Sequence, residues 1–326
     1  MTRSRLFFTA PFRMELREES VPELREDEVL VRARYSAISA GSESLFYTGL
    51  QPPGMKLDAN LPGLSGSTGY PVSYGYSLVG TVMDVGPEAE PDLLGREVFA
   101  FHPHATHAIL RSSEVTPLPE GLDALDAVFF PNMETAVNLV LDGAPLIGER
   151  VAVLGLGIVG LLTVTLLSRF PLAALVGLDR QEERRKKALE LGATTCPEDP
   201  AGQASMDLVY ELTGNPAALD TALGLCGFTS RLCAGSWYGK KTAPVALGGD
   251  FHRNRIRLFS SQVSSIAPEL SGRWTHERRA KIAWQELSRI HPSRLVTHRY
   301  PLASCSEAYQ LIQEGKPDML QVVFTY

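Results

Sequence analysis

The stretch Arg150-Val-Ala-Val-Leu-Gly-Leu-Gly-Ile-Val-Gly constrains the fold of this chain more than any other. A short β-rich apolar run enters Gly155, Gly157 and Gly160, and Leu161-Leu-Thr-Val-Thr-Leu-Leu follows as a run suited to a buried helix. Residues 151–168 carry no charge and just reach the length of a membrane span. Glycines at this spacing instead predict strand, tight turn and helix. Gly155 permits the turn, Gly157 lets the backbone approach a pyrophosphate, and Gly160 lets the helix pack closely on the strand. The helix start then offers the N–H groups of Ile158, Val159 and Gly160, with the favourable end of its dipole, to phosphates.

A second apolar run, Leu172-Ala-Ala-Leu-Val-Gly-Leu, ends at Asp179, about twenty residues beyond the glycines, where a carboxylate accepts from adenosine ribose hydroxyls. Asp179 therefore favours NAD over NADP. Two other readings stay open: Asp179 as the cap of the helix beginning at Gln181, and Arg180 as a partner for a 2′-phosphate. Strand and helix patterns keep alternating, with a strand at 207–212, a helix at 216–225 opened by Asn215-Pro216, and a strand at 230–235. A helix at 135–141 precedes the first strand and a late strand lies at 255–261. The fold class is α/β, with a doubly wound parallel sheet between about residues 126 and 265.

With 326 residues the chain has length for two domains. Lys plus Arg is 31 against 37 Asp plus Glu, so there is no cationic excess to neutralise nucleic-acid phosphates or anionic lipid. Cys196, Cys226, Cys233 and Cys305 form no C-x-x-C pair, which argues against a disulfide framework or a cysteine-rich structural zinc site and fits a reducing cytoplasm. Acids at Glu15, Glu18 and Glu19 arrive before any long apolar core, so the N-terminus does not read as a secretion signal.

The first 125 residues alternate like strands in Glu28-Val-Leu-Val-Arg-Ala-Arg and in Ser77-Leu-Val-Gly-Thr-Val-Met-Asp-Val-Gly, with Gly-Pro punctuation between. A β-rich part first, a nucleotide part second and a return segment last, together with Gly-Tyr-Ser-Leu-Val-Gly-Thr-Val-Met-Asp-Val-Gly and the glycine fingerprint, resemble the medium-chain dehydrogenase/reductase superfamily. Glu190-Leu-Gly-Ala, Thr213-Gly-Asn-Pro and Val296-Thr-His-Arg-Tyr-Pro-Leu agree with it. The resemblance implies a GroES-like catalytic domain from residues 1–125 and 266–326, a Rossmann NAD(P)-binding domain from 126–265, and substrate meeting nicotinamide in the cleft between them. It also implies that Thr213 and Glu134 lie on the cofactor side. Ser39-Ala-Gly-Ser-Glu-Ser-Leu-Phe-Tyr-Thr-Gly is similar to the matching run of bacteriochlorophyllide hydroxyethyl dehydrogenases.

The departures are as informative as the matches. Where zinc-dependent members carry a Cys ligand, this chain has Ala40, and where they carry the His and Glu of a Gly-His-Glu motif it has Tyr76 and Ser77. No four-cysteine lobe follows Val98-Phe-Ala-Phe-His, so the resemblance points to a zinc-free branch. The candidates for handling the hydroxyl proton are then Ser42, at the family's relay position, and Tyr76, with a turn serine and a space-filling aromatic as their plain readings. Glu43 reads as a structural acid that orients Ser42 or Tyr76, or pairs with an arginine. Within Phe101-His-Pro-His-Ala-Thr-His107, a single cleft histidine, His102, is expected as donor or shuttle rather than a metal cluster. Glu134 also reads as part of a helix start with Asn132 as cap.

Trp237 and Tyr238, in a loop after a strand, fit a pocket or core role; His252, Arg253 and Gln262 fit an interface. The segment from Gly49 to Pro71 is expected to be a lid. These residues imply a cytoplasmic, zinc-independent, NAD-preferring oxidoreductase and homodimer acting on a small secondary alcohol or carbonyl compound, with no nucleic-acid or membrane partner and with NADP as the second cofactor choice. Two alternatives are open: a quinone or enone reductase on the same fold, and a nicotinamide-binding sensor without catalysis.

Overall fold

The computed structural model describes residues 1–57, 67–203 and 205–326. The centre of the expected lid, residues 58–66, lies outside them. Two compact units emerge: Met1–Pro131 with Leu287–Tyr326, and Asn132–Glu286. The sequence placed the joins at 125/126 and 265/266; the structure places them at 131/132 and 286/287, with most of the helix His276–Ile290 in the second unit, where its Arg279 bonds Glu134 and Asn138.

In chain order, the first part holds β1 (Thr2–Ala10), β2 (Arg13–Ser20), β3 (Glu28–Ala37), α1 (Ala40–Thr48), β4 (Leu78–Val85), β5 (Glu97–Ala100), β6 (His107–Arg111), β7 (Val115–Pro117) and α2 (Ala124–Ala127). Next come α3 (Phe130–Gly143), β8 (Arg150–Leu154), α4 (Ile158–Leu167), β9 (Ala174–Leu178), α5 (Glu182–Glu190), β10 (Met206–Glu211), α6 (Ala218–Leu225), β11 (Cys226–Ala234), β12 (Arg257–Ser260) and α7 (His276–Ile290). The return segment supplies β13 (Val296–Pro301), α8 (Cys305–Glu314) and β14 (Gln321–Thr325).

In the first unit β1 and β2 form an antiparallel pair, and a larger sheet runs β13-β14-β3-β4-β5-β7, with β6 also on β3. β3 shows why it is central: Val29, Val31 and Ala33 are buried while Arg32 and Arg34 point outward, the period-2 pattern of a half-solvated strand. The buried set joins Leu78, Val82, Val98, Ala108, Leu110 and Val115 in one core. β14 comes from the far end of the chain yet pairs antiparallel with β3, so the return segment is built into this sheet.

In the second unit all pairings are parallel, in the order β12-β11-β10-β8-β9. Val151, Ala152 and Val153 are wholly buried, as expected of a central parallel strand covered on both faces. The uncharged run that matched a membrane span is therefore a strand, a turn and a ten-residue helix. Beyond β9 a further strand of the doubly wound pattern is reduced to one parallel bridge between Val176 and Thr195, with Thr194 N–H on Leu175 O at 2.7 Å and Gly177 N–H on Thr195 O at 2.9 Å.

Candidate functional site

The glycine turn of the second unit has the geometry its spacing implies. Gly155 sits at φ +98°, and a Cβ there would lie 2.6 Å from the Leu212 carbonyl carbon, so turn and close approach both require glycine. At Gly160 a Cβ would fall 2.0 Å from Gly155 O, which is the tight helix-on-turn packing. Gly157, the N-cap of α4, faces open space with nothing within 4 Å of an added Cβ and brings no side chain to the helix start. The N–H groups of Ile158, Val159 and Gly160 open this helix, and Leu161 N–H closes its first turn on Gly157 O at 2.8 Å. This cradle fits the diphosphate of a dinucleotide.

Asp179 lies just past the end of β9 and ties the cradle to it. One carboxylate oxygen accepts from Leu156 N–H at 2.8 Å, inside the glycine turn, and the other accepts from Gln181 N–H at 2.9 Å. Arg184 stands 3.8 Å from it. Asp179 thus does local backbone work at the place where a ribose acceptor is expected, while Arg180 points to solvent with its carbonyl engaged by Arg185 at 3.1 Å. Thr213 follows β10, and both its N–H and its hydroxyl donate to Glu211. Glu211 is wholly buried and also accepts from the Tyr238 hydroxyl; burial, then this carboxylate, push the Tyr238 phenol upward. Sequence reasoning missed Glu211, since an acid closing a strand carries no local signal of its partners. Ser236 accepts from Gly214 N–H at 2.9 Å, so the 236–238 loop is anchored to the same strand end.

Glu134 has a different situation from that expected. It is buried in α3, and Arg279 from α7 reaches it at 3.4 Å through two nitrogens while bonding Asn138 at 2.8 Å. Burial raises its carboxyl and Arg279 opposes the rise. Its carboxylate is committed to holding α7 on α3.

In the first unit the candidate residues gather at the start of α1. The Tyr76 hydroxyl donates to Ser39 Oγ and lies 3.2 Å from Ser42 Oγ, both on half-buried serines. Burial pushes the Tyr76 phenol upward, the two serine bonds draw it back, and the charge of Glu43 adds to the rise. Glu43 is wholly buried and accepts from Ser39 N–H at 2.7 Å, from the Tyr309 hydroxyl, and from His104 Nε2 at 2.9 Å. Its partners are a histidine and a tyrosine rather than an arginine.

The histidine beside this cluster is His104 and not His102. His102 Nδ1 bonds the carbonyl of its own neighbour Pro103 at 2.7 Å, and burial drives its ring down to about 3, so it stays neutral and is a poor shuttle. His107 turns to Thr106 at 3.2 Å, so the three histidines of this run share no centre.

The zinc-ligand positions do not fit a zinc ion. Ala40 has no donor atom, the Tyr76 hydroxyl is held by two serines, and the Ser77 hydroxyl donates to Val128 O at 2.5 Å. Among the described residues no three of His, Cys, Asp and Glu converge, and all four cysteines are free.

No family model matches the chain. Among curated proteins it is 26% identical over 322 residues to the 2-desacetyl-2-hydroxyethyl bacteriochlorophyllide A dehydrogenase of Rhodobacter capsulatus, covering 92% of this chain and 90% of that one. It is 23% identical over 262 residues to the D-guloside 3-dehydrogenase of Escherichia coli K12, covering 75% and 74%. Among solved structures, a short chain alcohol dehydrogenase from E. coli CFT073 complexed with NADH superposes with a TM-score of 0.79 at 19% identity, over 100% of this chain and 99% of that one. That likeness carries the fold, an α/β chain with an antiparallel and a parallel sheet. Among the described residues no helix is long and apolar enough to cross a membrane.

Proposed function

We propose that this chain, which resembles the medium-chain dehydrogenase/reductase superfamily, interconverts a secondary alcohol and a carbonyl compound by hydride transfer, preferring NAD and using no zinc. The observation that carries this reading is the Tyr76 hydroxyl set between Ser39 and Ser42 at the start of α1, where zinc-dependent relatives place metal ligands. Relatives that are dehydrogenases of a guloside and of a hydroxyethyl bacteriochlorophyllide support an alcohol substrate.

Bound nicotinamide supplies the hydride acceptor or donor. The chain's own residues do the rest. The N–H groups of Ile158, Val159 and Gly160 hold the diphosphate, and the carboxylate of Asp179 repels a 2′-phosphate. Tyr76, kept protonated by burial, donates its hydroxyl proton to the carbonyl oxygen as that oxygen gains charge and is left as the phenolate; in the oxidative direction it is this phenolate that takes the alcohol's proton. Ser42 and Ser39 hold the phenol oxygen in place throughout and stabilise it when it loses the proton.

The test is a fluorescence titration of chelator-treated protein with NADH and with NADPH, followed by a panel of secondary alcohols and ketones in chelator. Tighter NADH binding and turnover insensitive to the chelator are expected. Turnover that returns only with added zinc would end the metal-free reading, and tighter NADPH binding would end the role given to Asp179.

A further inference from the structure

A hydrogen-bonded chain, buried except at its Tyr326 end, leads away from the Tyr76 cluster with a single sense of donation. The Tyr326 hydroxyl lies 2.7 Å from Ser36 Oγ, Ser36 Oγ lies 2.6 Å from His104 Nδ1, and His104 Nε2 lies 2.9 Å from Glu43. An ionised carboxylate only accepts, so Nε2 carries the proton toward Glu43. A neutral imidazole then accepts at Nδ1 from the Ser36 hydroxyl, whose oxygen accepts from Tyr326. Ser36, His104 and Glu43 are each 0% exposed. Their order matches that of nucleophilic triads, but Ser36 is closed to any substrate and covered by the Tyr326 hydroxyl, so attack on a substrate is excluded.

What the chain reaches is the start of α1. Glu43 takes Ser39 N–H from its own helix, Nε2–H from the 101–106 segment and the Tyr309 hydroxyl from α8, so it joins three separate pieces of chain. His104 also abuts the residue before Tyr76: Gly75 sits at φ +128°, and a Cβ there would lie 2.8 Å from His104 Nε2. One imidazole therefore packs against the backbone that carries Tyr76 and orients the acid that holds the backbone of Ser39, one of the two serines at its hydroxyl.

Resting on the hydride-transfer reading above, we propose that Glu43 and His104 are positioning residues for the Tyr76 hydroxyl, with Glu43 fixing the first turn of α1 and His104 fixing Glu43. The charge of Glu43 also opposes ionisation of Tyr76. Among the described residues, the other ionisable groups around the pair are His102, Cys305, Tyr309 and Tyr326. Cys305, Tyr309 and Tyr326 are each pushed upward, so neutral at neutral pH, and His102 is neutral as well, so among the described residues Glu43 is the charge that acts on Tyr76.

The experiment follows Tyr76 by NMR of protein carrying 13Cζ-tyrosine, its resonance identified by loss in Tyr76→Phe, across a pH titration. Glu43→Gln is expected to lower the pH at which Tyr76 ionises by about one unit and to move the alkaline limb of carbonyl reduction down with it. His104→Ala is expected to lower kcat about tenfold at unchanged KM, and His104→Gln, which keeps a donor toward Glu43, to recover most of it. Should Glu43→Gln fail to fold, Ser36→Ala reads the same chain one bond further away and is expected to lower kcat by a smaller factor. If His104→Ala and Ser36→Ala leave both kcat and the Tyr76 resonance as in wild type, the proposal is overturned. The resonance needs no turnover: if it moves in a protein that oxidises no alcohol, the positioning stands and the hydride-transfer reading falls.

Discussion

At the scale of single residues, the contrast between Tyr76 and His102 decides what each can do. Both are perturbed by burial, but the Tyr76 hydroxyl has two half-buried serines as partners, whereas His102 spends its one N–H on the Pro103 carbonyl. Tyr76→Phe is expected to lower turnover by roughly a hundred- to ten-thousandfold while leaving NADH binding intact, checked by steady-state kinetics beside a fluorescence titration. For His102 the prediction concerns stability. Its folded value of about 3 lies below the ordinary histidine value of 6.5, so the unfolded chain binds the extra proton first. Stability is therefore full above the unfolded value and is lost as pH falls from there toward 3, at up to about 1.4 kcal/mol per pH unit. His102→Asn should flatten that part of the urea-midpoint profile; an unchanged slope would count against a neutral buried ring. Partners such as these were not legible beforehand. Glu43 and His104 are 61 positions apart, and Glu43 and Tyr309 are 266 apart, so no local pattern links them. Sequence reading singled out Glu43, Ser42 and Tyr76 from their neighbourhood in a family pattern and named His102, whereas the histidine that bonds Glu43 is His104.

Among the elements, the strand, turn and helix of β8 and α4 were the most legible, because each glycine answers to a separate local demand. That separation makes them distinguishable by experiment. Gly160→Ala forces a methyl group against Gly155 O and is expected to cost on the order of 1–3 kcal/mol of stability. Gly157→Ala has room at an ordinary φ of −69°, so it should fold as well as wild type and weaken NADH binding roughly tenfold, about 1.4 kcal/mol. Urea unfolding and NADH titration of both variants check the pair; equal loss of stability in the two would contradict the geometry. β3, β9, β10 and α6 were legible for the same reason, since their periodicity is local. The strand reduced to a bridge at Thr195 was not, because whether a third segment completes a strand depends on what its neighbour's edge accepts.

Across the whole molecule, the two edges of the parallel sheet are treated differently. The β9 edge is occupied by residues 194–195. No strand among the described residues pairs with the outer edge of β12, where Leu258 is 38% exposed beside a string of arginines at 253, 255 and 257. A bare edge of this kind invites pairing with another strand. We expect two copies of the chain to join there, so sedimentation equilibrium should give a dimer that Leu258→Lys weakens, and a monomeric wild type would end the idea.

The place of β14 has a consequence for how the chain is made. Gln321 bonds the carbonyl of Ile38 across 283 positions, and β14 lies against β3 inside the first unit's main sheet. At a synthesis rate of about 5–20 residues per second, β3 emerges from the ribosome on the order of tens of seconds before its partner exists. Through that interval β6 can already pair with β3 at Glu28–Arg32, but the stretch Tyr35–Ala37 waits for β14, and all strands of the nucleotide unit are made before β14. The nucleotide unit therefore has the opportunity to fold before the first unit's sheet is complete.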